Sequence, residues 1–463
     1  MSDASTLRSL LKKGAMSRTE ILRLFNINEN NLQELLNILN SELIEFGEVK
    51  NTSYALRRKI REYNEFYIWE IPRKGQPTEI GNLIPVYPEG YIILWKGDRL
   101  VEKQYYSRSL PWWIYDMRPQ GFIGRSFANK MAEILGVSKR INDWSDDEIL
   151  LALQAFGTDV VGNFIITNNR AIYQILSSIN LQPISPYLAT NINLTIRHPE
   201  INKKYLYKHL AFQALKAEEV GSSAGGEQPK FVARLFDPNC PINVIVKFTA
   251  PDNNTITRRW ASLLQAECLA TKVLNQASFA SAMSGFLEID GQYFLEVERF
   301  DRVGIEGRLG QVSLAAVDSE FVGQADATWS TQSIELQKQG LISVEDAETM
   351  QKLEAFGRMI GNADMHLGNL SFFHEQTTNL RLAPVYDMLP MLFAPRASGH
   401  IPNDVPEIRL VTPPALKYWQ EMFPIALQYW QQILTLPQPD ETFKPIAEKF
   451  IERLNELKPK IGL

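Results

Sequence analysis

The segment 361–369, with the sequence GNADMHLGN, restricts the fold and the chemistry more than any other part of the chain. Asp364 and Asn369 lie five residues apart in it, after a pattern typical of an amphipathic helix. Two strand-like runs follow and lead to Asp387. Asp364 can orient an attacking hydroxyl group and accept its proton, while Asn369 and Asp387 can hold Mg²⁺ beside phosphate oxygens. This order predicts a phosphoryl-transfer centre; the alternative is a polar turn followed by a capping aspartate.

A strand-like segment at 244–248 carries Lys247 among β-branched apolar residues. Because a buried ammonium group is costly without a partner, we expect a carboxylate beside it. The next predicted helix offers Glu267 on its inward face, and in kinase-like folds such a lysine contacts the α- and β-phosphates of ATP. The alternative is an edge strand whose lysine points to solvent.

Two further segments carry weaker signals. Residues 221–230, GSSAGGEQPK, precede a strand-like run, and their glycines would let the backbone approach phosphate oxygens. They lack the GxxxxGK[ST] pattern of a Walker A loop and, alone, are typical of a hairpin turn. Residues 291–302, GQYFLEVERFDR, form an apolar strand that ends in a charged turn, where backbone groups could meet an adenine edge.

In this order, the segments SSAGGEQPK, VIVK, VERFDR, GNADMHLGN and PVYDM resemble the HipA-type toxin kinases, a bacterial family of serine/threonine kinases. The resemblance covers about residues 150–420, with FGTDVVGN at 156–163 as a weaker match. It implies an α+β, two-lobed protein-kinase-like fold and an ATP- and Mg²⁺-dependent protein kinase that restrains growth. The expected lobes are residues 64–300, with the Gly-rich loop, and the mainly helical residues 301–463.

The resemblance also implies roles for individual residues. Asp364 would be the catalytic base, His366 would support its loop, and Lys247 would bind phosphates. Asn369 and Asp387 would bind the metal ion. The residues implied to bind the nucleotide, besides Lys247, are Ser223, Ala224, Gly225, Glu298, Phe300 and Asp301.

The resemblance implies a mode of regulation, but it does not identify the partners of this chain. Family members often phosphorylate a serine of their Gly-rich loop, which silences them, and Ser222, or else Ser223, occupies that position. A phosphate there would compete with ATP for the same N–H groups. The family works with a separate small DNA-binding antitoxin and modifies translation-related proteins, including a glutamyl-tRNA synthetase. The sequence identifies neither an antitoxin nor a protein substrate for this chain.

Residues 1–63 are predicted to form a winged helix-turn-helix domain, which typical HipA-type kinases lack. Three helical patterns, the second of which opens with a capping box at 17–20, precede strand-like runs at 43–49 and 53–58. The third helix offers asparagines and a glutamine to base edges, but it carries Glu34 and no lysine or arginine. The cations that could contact phosphates follow the second strand, and they are Arg57, Arg58, Lys59 and Arg61. DNA binding would therefore depend strongly on salt, and protein binding is the alternative.

Bulk properties restrict the compartment and the partners. A net charge of −5 and a pI near 5.8 exclude nucleic-acid binding over most of the surface. Cys240 and Cys268 lie far apart without a ligand cluster, so we predict neither a zinc site nor a disulfide framework. Lys12 and Lys13 interrupt the first apolar stretch, and no run approaches the roughly 18 apolar residues of a membrane span. We therefore expect a cytoplasmic protein.

Other function classes are compatible with the same residues. One is a DNA-binding transcriptional regulator whose kinase-like part only senses nucleotide. Another is a metal-dependent DNA nuclease, because Mg²⁺ held by carboxylates also serves phosphodiester hydrolysis. A kinase that acts on a small molecule is a further alternative, and the oligomeric state is open.

Overall fold

The structure is a computed structural model that describes residues 3–47, 51–96, 104–169, 199–219, 228–235, 242–374 and 379–463. In this part of the chain, no helix is long and apolar enough to cross a membrane. Cys268 is buried as a free thiol, whereas Cys240 lies outside the described residues. The predicted Gly-rich loop, with Ser222, Ser223, Ala224 and Gly225, also lies outside the described residues.

The first unit is the predicted winged helix. Its elements are α1 (Asp3–Leu11), β1 (Met16–Ser17), α2 (Arg18–Phe25), α3 (Glu29–Leu39), β2 (Leu43–Phe46) and β3 (Ser53–Leu56). The strands form an antiparallel sheet in the order β1-β3-β2. Ser17 and Glu20 form the expected capping box at α2, in which the Ser17 Oγ accepts from the Glu20 N–H at 3.2 Å. Leucines at helical spacing pack the helices against the sheet, so the unit has a core of its own.

The second unit is an antiparallel sheet of five strands in the order β7-β6-β5-β4-β8. Its elements are β4 (Phe66–Glu70), β5 (Thr78–Pro85), β6 (Tyr91–Trp95), β7 (Gln104–Ser107), α4 (Gly121–Leu135), α5 (Asp146–Phe156) and β8 (Phe164–Thr167). Alternate residues of β4 point into the core, where Phe66 and Ile68 are fully buried.

The third unit is a second antiparallel sheet, in the order β11-β12-β10-β9. Its elements are α6 (Pro199–Glu219), β9 (Lys230–Leu235), β10 (Ile242–Phe248), α7 (Thr255–Gln276), β11 (Ser284–Ile289) and β12 (Gln292–Glu298). Val244, Val246 and Phe248 of β10 pack into the cluster that contains the buried residues of α6. Since side chains alternate along a strand, Lys247 faces the opposite side, where α7 lies. The predicted segment 64–300 thus contains two separate sheets.

The C-terminal unit is mainly helical. Its elements are β13 (Arg302–Val303), β14 (Gly307–Arg308), β15 (Gln311–Ser313), α8 (Leu314–Phe321), α9 (Trp329–Lys338), α10 (Val344–Met359), β16 (Ser371–Phe373), β17 (Arg381–Leu382), α11 (Leu416–Thr435) and α12 (Phe443–Leu457). Met350, Leu353 and Phe356 of α10 are buried, as the helical pattern predicted. The helix leads directly into the segment 361–369.

Arg259 of α7 makes several contacts with the C-terminal unit. Arg259 is completely buried, and its guanidinium donates to the Asp440 carboxylate at 2.6 Å and to Thr442 Oγ1 at 2.8 Å. It also donates to the Pro402 carbonyl at 2.7 Å and to Asn403 Oδ1 at 2.5 Å. Because a buried guanidinium requires partners for its donors, this network fixes the N-terminal part of α7 against the C-terminal unit.

Candidate active site

Lys247 joins the two lobes at the centre of the candidate site. Its Nζ donates to both carboxylate oxygens of Glu267, at 2.6 and 2.8 Å, and to Asp387 Oδ1 at 2.6 Å. The lysine and glutamate side chains are only 9% and 1% exposed. The predicted pairing with Glu267 is confirmed, and the edge-strand alternative is wrong, because β10 lies between β9 and β12.

The charges of this triad depend on one another. Burial would lower the pKa of Lys247, but Asp387 and Glu267 outweigh burial and raise that pKa above its usual range. Burial raises the pKa of the Glu267 carboxyl, and the neighbouring Lys247 lowers it by less, so this pKa stays above its usual range. Although burial opposes it, Lys247 and then Lys230 hold the pKa of Asp387 below its usual range. Removal of the lysine would therefore leave two carboxylates facing each other without compensation.

The segment 361–369 is held by its own side chains. Asn362 Oδ1 accepts from the Asp364 N–H at 3.0 Å, and Asn362 Nδ2 donates to the Asp387 carbonyl at 3.4 Å. Asn369 Nδ2 donates to the Asp364 carbonyl at 2.7 Å. The Asp364 carboxylate itself is 51% exposed and faces outward. These bonds connect the backbone of Asp364 to Asn369 and, through Asn362, to Asp387. Asn362 is therefore a positioning residue, which the sequence analysis did not identify.

His366 lies on the exposed side of this loop. Its Nδ1 accepts from the Gly368 N–H at 3.0 Å, and its Nε2 is 4.0 Å from Asp364 Oδ1. Because Nδ1 is an acceptor, the ring proton of the neutral imidazole lies on Nε2, which faces the aspartate. The position fits the predicted supporting role.

Asp387 follows the predicted hairpin in the chain and is positioned by it. β16 pairs with β17, and the chain then reaches Tyr386, whose hydroxyl donates to the Gly368 carbonyl at 2.8 Å. Asp387 itself has φ of +54°, a conformation that residues other than glycine rarely adopt. Such backbone strain persists where the surroundings over-determine it, and it is concentrated at functional sites.

The site offers oxygen ligands of the kind that Mg²⁺ takes. Asp387 Oδ2 and Asn369 Oδ1 receive no hydrogen bond from any described residue. The described residues contain no group of three or more His, Cys, Asp or Glu side chains that could hold a metal. Since Mg²⁺ in phosphoryl-transfer sites uses one or two carboxylates together with substrate phosphates, this sparse set fits Mg²⁺.

Comparison with known proteins gives the family. Residues 62–174 match the model described as the YjjJ-like toxin middle domain, and residues 222–448 match that of the HipA-like C-terminal domain. Toxin YjjJ of Escherichia coli (strain K12) is 33% identical over 463 residues, which cover 99% of each chain. The chain belongs to the YjjJ-like family of HipA-type toxins.

Solved structures agree with the fold of the toxin. A chain of the complex of HipA, HipB and operator DNA from Shewanella oneidensis MR-1 aligns with a TM-score of 0.54 and 16% identity. The alignment covers 84% of the toxin and 97% of that chain. Similarity at this level shows the fold alone, and it confirms the predicted kinase-like architecture. The Helicobacter pylori proinflammatory kinase CtkA aligns with a TM-score of 0.35, 12% identity and 52% coverage of the toxin, which is too weak to support an argument.

Lys230 is a candidate site residue that the sequence reasoning missed. It pairs directly with Lys247 across β9 and β10, and residues opposite each other in an antiparallel pair share one face of the sheet. Lys230 is half-buried, makes no hydrogen bond or ion pair with the described residues, and lowers the pKa of Asp387. The site of this HipA-type toxin therefore contains one lysine bound by carboxylates and one uncommitted lysine. The signal in the sequence was the alternation of polar and apolar residues in KFVARL at 230–235. It places Lys230 beside Lys247 only when the register of β9 on β10 is known.

The predicted hinge residues lie at the end of β12. Glu298 is exposed, whereas Phe300 packs against Phe373 and Tyr386 with ring centroids 5.8 and 5.9 Å away. The Asp301 carboxylate is buried and accepts from Arg302 at 2.6 Å. The Asp301 carboxylate is thus occupied by protein groups, which leaves the backbone of this segment and the exposed Glu298 side chain to meet a nucleotide.

Asp301 belongs to a cluster, here called the arginine clamp, that joins the segment between α5 and β8 to the residues after β12. Arg299 donates to both Asp301 and Asp159, and Arg302 also donates to both, at distances of 2.6 to 3.1 Å. The Gly162 N–H donates to Asp301 at 3.0 Å. The weak segment 156–163 and the segment VERFDR therefore contact each other, a contact between distant parts of the chain that the sequence reasoning missed.

The predicted cationic group after the wing is mostly used inside the toxin. Arg58 binds the Asp147 carboxylate at 2.5 and 2.8 Å, and Arg61 donates to the Leu135 carbonyl. Arg57 Nε donates to the Leu43 carbonyl at 3.2 Å. Arg58 and Arg61 thus connect the winged helix to α5 and α4, and their contact with phosphates stays a prediction. Lys59 is exposed and has no partner among the described residues.

Proposed function

We propose that this toxin is a serine/threonine protein kinase that uses ATP and Mg²⁺ and restrains growth by phosphorylating a protein. The observation that carries the proposal is the contact of one ammonium group, Lys247 Nζ, with Glu267 of α7 and Asp387 of the C-terminal unit. Phosphoryl transfer in kinases needs this lysine–glutamate pair and the metal-binding aspartate at the same time. Here the three groups are already joined.

The proposed roles follow from the contacts. Asp364, exposed beside His366, would orient the serine or threonine hydroxyl of the substrate and accept its proton. Lys247 and Lys230 would bind phosphate oxygens from the sheet side of the cleft. Asn369 and Asp387 would hold Mg²⁺, which when bound neutralises charge on the transferred group. Backbone groups at 298–301 would contact adenine.

Silencing by phosphorylation of Ser222, or of Ser223, is also proposed. It rests on the HipA-type motif, since both serines lie outside the described residues. A phosphate carries nearly two negative charges and would compete for the N–H groups and lysines that hold ATP.

The experiment is phosphotransfer from γ-labelled ATP by the purified toxin with Mg²⁺, followed by mass spectrometry of the toxin and of cell extract. We expect label on Ser222 or on a cellular protein, and none with Asp364→Asn. Asp404→Asn, which changes an exposed aspartate without a described partner, is the matched control. Label that survives both Asp364→Asn and Asp387→Ala contradicts the proposal. DNA cleavage that needs Asp364 but no ATP favours the nuclease, and label on a metabolite favours a small-molecule kinase.

DNA binding by the winged helix is a second proposed activity. It is favoured by the exposed polar face of α3, where Asn30, Asn31 and Asn37 are exposed and Asn37 Oδ1 accepts from Gln33 Nε2, and by the exposed Lys59, which has no partner among the described residues. The acidic Glu29 is partly neutralised by Arg18, whose Nε lies 3.0 Å from it. A gel shift with the promoter of the toxin's own gene at several salt concentrations tests this activity. A shift without phosphotransfer under any metal condition would instead favour the nucleotide-sensing regulator.

A further inference from the structure

A cavity of about 280 Å³ opens beside the catalytic loop in the C-terminal unit. It lies between the chain before α9, the outer face of α10 and the loop that carries Asp364. The residues that matter for its chemistry are Asp326, Trp329, Arg358, Met365, His366 and Leu367. We call it the acceptor pocket.

The wall of the acceptor pocket is part of the loop that carries the catalytic base. Met365 and His366 follow Asp364 directly in the chain. Trp329 Nε1 donates to the His366 carbonyl at 3.1 Å, and a Cβ atom at Gly357 of α10 would come within 2.3 Å of Met365 Sδ. A group bound here thus lies within a few residues' reach of a hydroxyl at Asp364, because an extended chain advances about 3.3 Å per residue.

The size of the pocket is sufficient for one long side chain. Pockets for small molecules typically span about 300–1,000 Å³, and this one lies just below that range. Its walls are formed by the buried Trp329 and Leu367 and the half-buried Met365. These surfaces suit the aliphatic stem of a long side chain.

The charge of the pocket selects a cation. Glu354 and Arg358 neutralise each other, since Arg358 Nε and Nη2 donate to Glu354 Oε1 at 2.9 and 2.6 Å. The other oxygen of the buried Glu354 accepts from the Ser330 N–H at 2.7 Å. Asp326 is exposed at the pocket and has no hydrogen bond or ion pair with the described residues. The uncompensated charge of the pocket is therefore negative.

We infer that the acceptor pocket binds a lysine or arginine side chain of the protein substrate, within about three residues of the phosphorylated serine or threonine. The stem lies along Met365 and Leu367, and the cationic end pairs with Asp326. The inference rests on the proposed kinase function and adds the substrate class to it. A substrate with an acidic residue at the same offset is disfavoured by repulsion from Asp326.

The test uses a pool of serine-centred peptides with randomised flanks, incubated with the full-length toxin, Mg²⁺ and ATP, and sequencing of the phosphorylated fraction. We expect lysine and arginine to be enriched over aspartate and glutamate at one offset by about tenfold or more, since both attraction and repulsion contribute. Asp326→Lys should reverse this preference, and Asp326→Asn should flatten it. The preference is a ratio within each variant, so a uniform loss of activity does not affect it.

Glu441→Lys, an equal charge change at an exposed residue outside the pocket, should keep the wild-type preference. The same flank preference in wild type and Asp326→Lys overturns the inference. A toxin that hydrolyses ATP or labels itself but phosphorylates no peptide of the pool also overturns it. Absence of any ATP turnover by the wild type instead contradicts the proposed function, so the two failures are distinguishable.

Discussion

The cleft and the winged helix use charge in opposite ways. In the cleft, Lys247 and Glu267 are buried, Asp387 is partly buried, and the three compensate one another, while the Lys230 side chain makes no hydrogen bond or ion pair with the described residues. In the winged helix, three arginines form ion pairs with carboxylates: Arg8 with Glu42 and Arg18 with Glu29 on its surface, and Arg58 with Asp147 at its attachment. Buried, mutually dependent charges are costly and persist where chemistry needs them, whereas exposed pairs stabilise little. The difference indicates where single substitutions should have large consequences.

The largest expected effect is that of Lys247→Met. It leaves the Glu267 and Asp387 carboxylates without their shared cation, and breaking a buried pair costs about 3–5 kcal/mol. Phosphotransfer should fall by about a hundredfold or more, because a charge that faces the transferred group is lost. Urea unfolding and labelling assays measure the two effects. The control Arg18→Ala, which breaks the exposed pair with Glu29, should cost less than about 1 kcal/mol. Equal losses for the two variants would remove the contrast between the regions.

The second effect is a pH dependence of the arginine clamp. Although burial opposes it, Arg299 and then Arg302 hold the pKa of Asp159 below its usual value near 4. A carboxylate whose pKa is lowered by folding stabilises the fold fully at a pH above its usual pKa. This stabilisation is lost as the pH falls from about 4 through the lowered pKa of the folded state. The urea midpoint of Asp159→Asn should thus lie well below that of the wild type at pH 7, and the difference should become smaller as the pH falls below 4. A gap that stays constant with pH would show that Asp159 acts through packing.

The third effect concerns the uncommitted lysine. Lys230→Met should weaken ATP binding by about tenfold, the value of one charge-assisted hydrogen bond, and leave adenosine binding unchanged. Lys230→Arg should keep most of the affinity, since it keeps the charge. Calorimetry in an Asp364→Asn background separates binding from turnover. If ATP binds Lys230→Met as tightly as the wild type, Lys230 has no role at the phosphates.

The smallest effects are expected at the winged helix. Arg58→Ala and Asp147→Ala should each lower stability and show a coupling of about 1 kcal/mol in a double-mutant cycle, because they form one ion pair. Neither should change the salt dependence of DNA binding. Lys59→Ala should lower the slope of log affinity against log salt by about 1, as measured by fluorescence anisotropy. A changed slope for Arg58→Ala would mean that the arginine leaves Asp147 to contact phosphate.

Patterns within short segments of the sequence were sufficient to predict many of the helices and strands. The helical faces of α3 and α10, the capping box at Ser17 and the hairpin before Asp387 follow from periodicity and spacing alone. The Lys247–Glu267 pair was predictable because a buried ammonium needs a carboxylate and the next helix offered one inward-facing glutamate. The winged helix was recognisable for the same reason, since its signals are contained within about 60 neighbouring residues.

What the sequence could not supply were contacts between distant elements. Lys230 becomes a site residue only through the register of β9 on β10, and Asp159 meets Arg299 across 140 residues. The ion pair of Arg58 could not be predicted either, because its partner Asp147 lies in another unit. The charge of a side chain is visible in a sequence, but its partner is decided by the tertiary fold.

The buried Arg259 has a consequence for how such a toxin can be controlled. Withdrawal of α7, and with it Glu267, would strip a sequestered guanidinium of Asp440, Asn403 and Thr442. At about 3–5 kcal/mol, such a withdrawn state would make up less than about 1% of the molecules. Each newly folded copy therefore starts with its lysine and glutamate already joined. Withdrawal of α7 is therefore disfavoured as a way to control the toxin, which leaves the number of copies and the proposed phosphorylation of Ser222 as means of control.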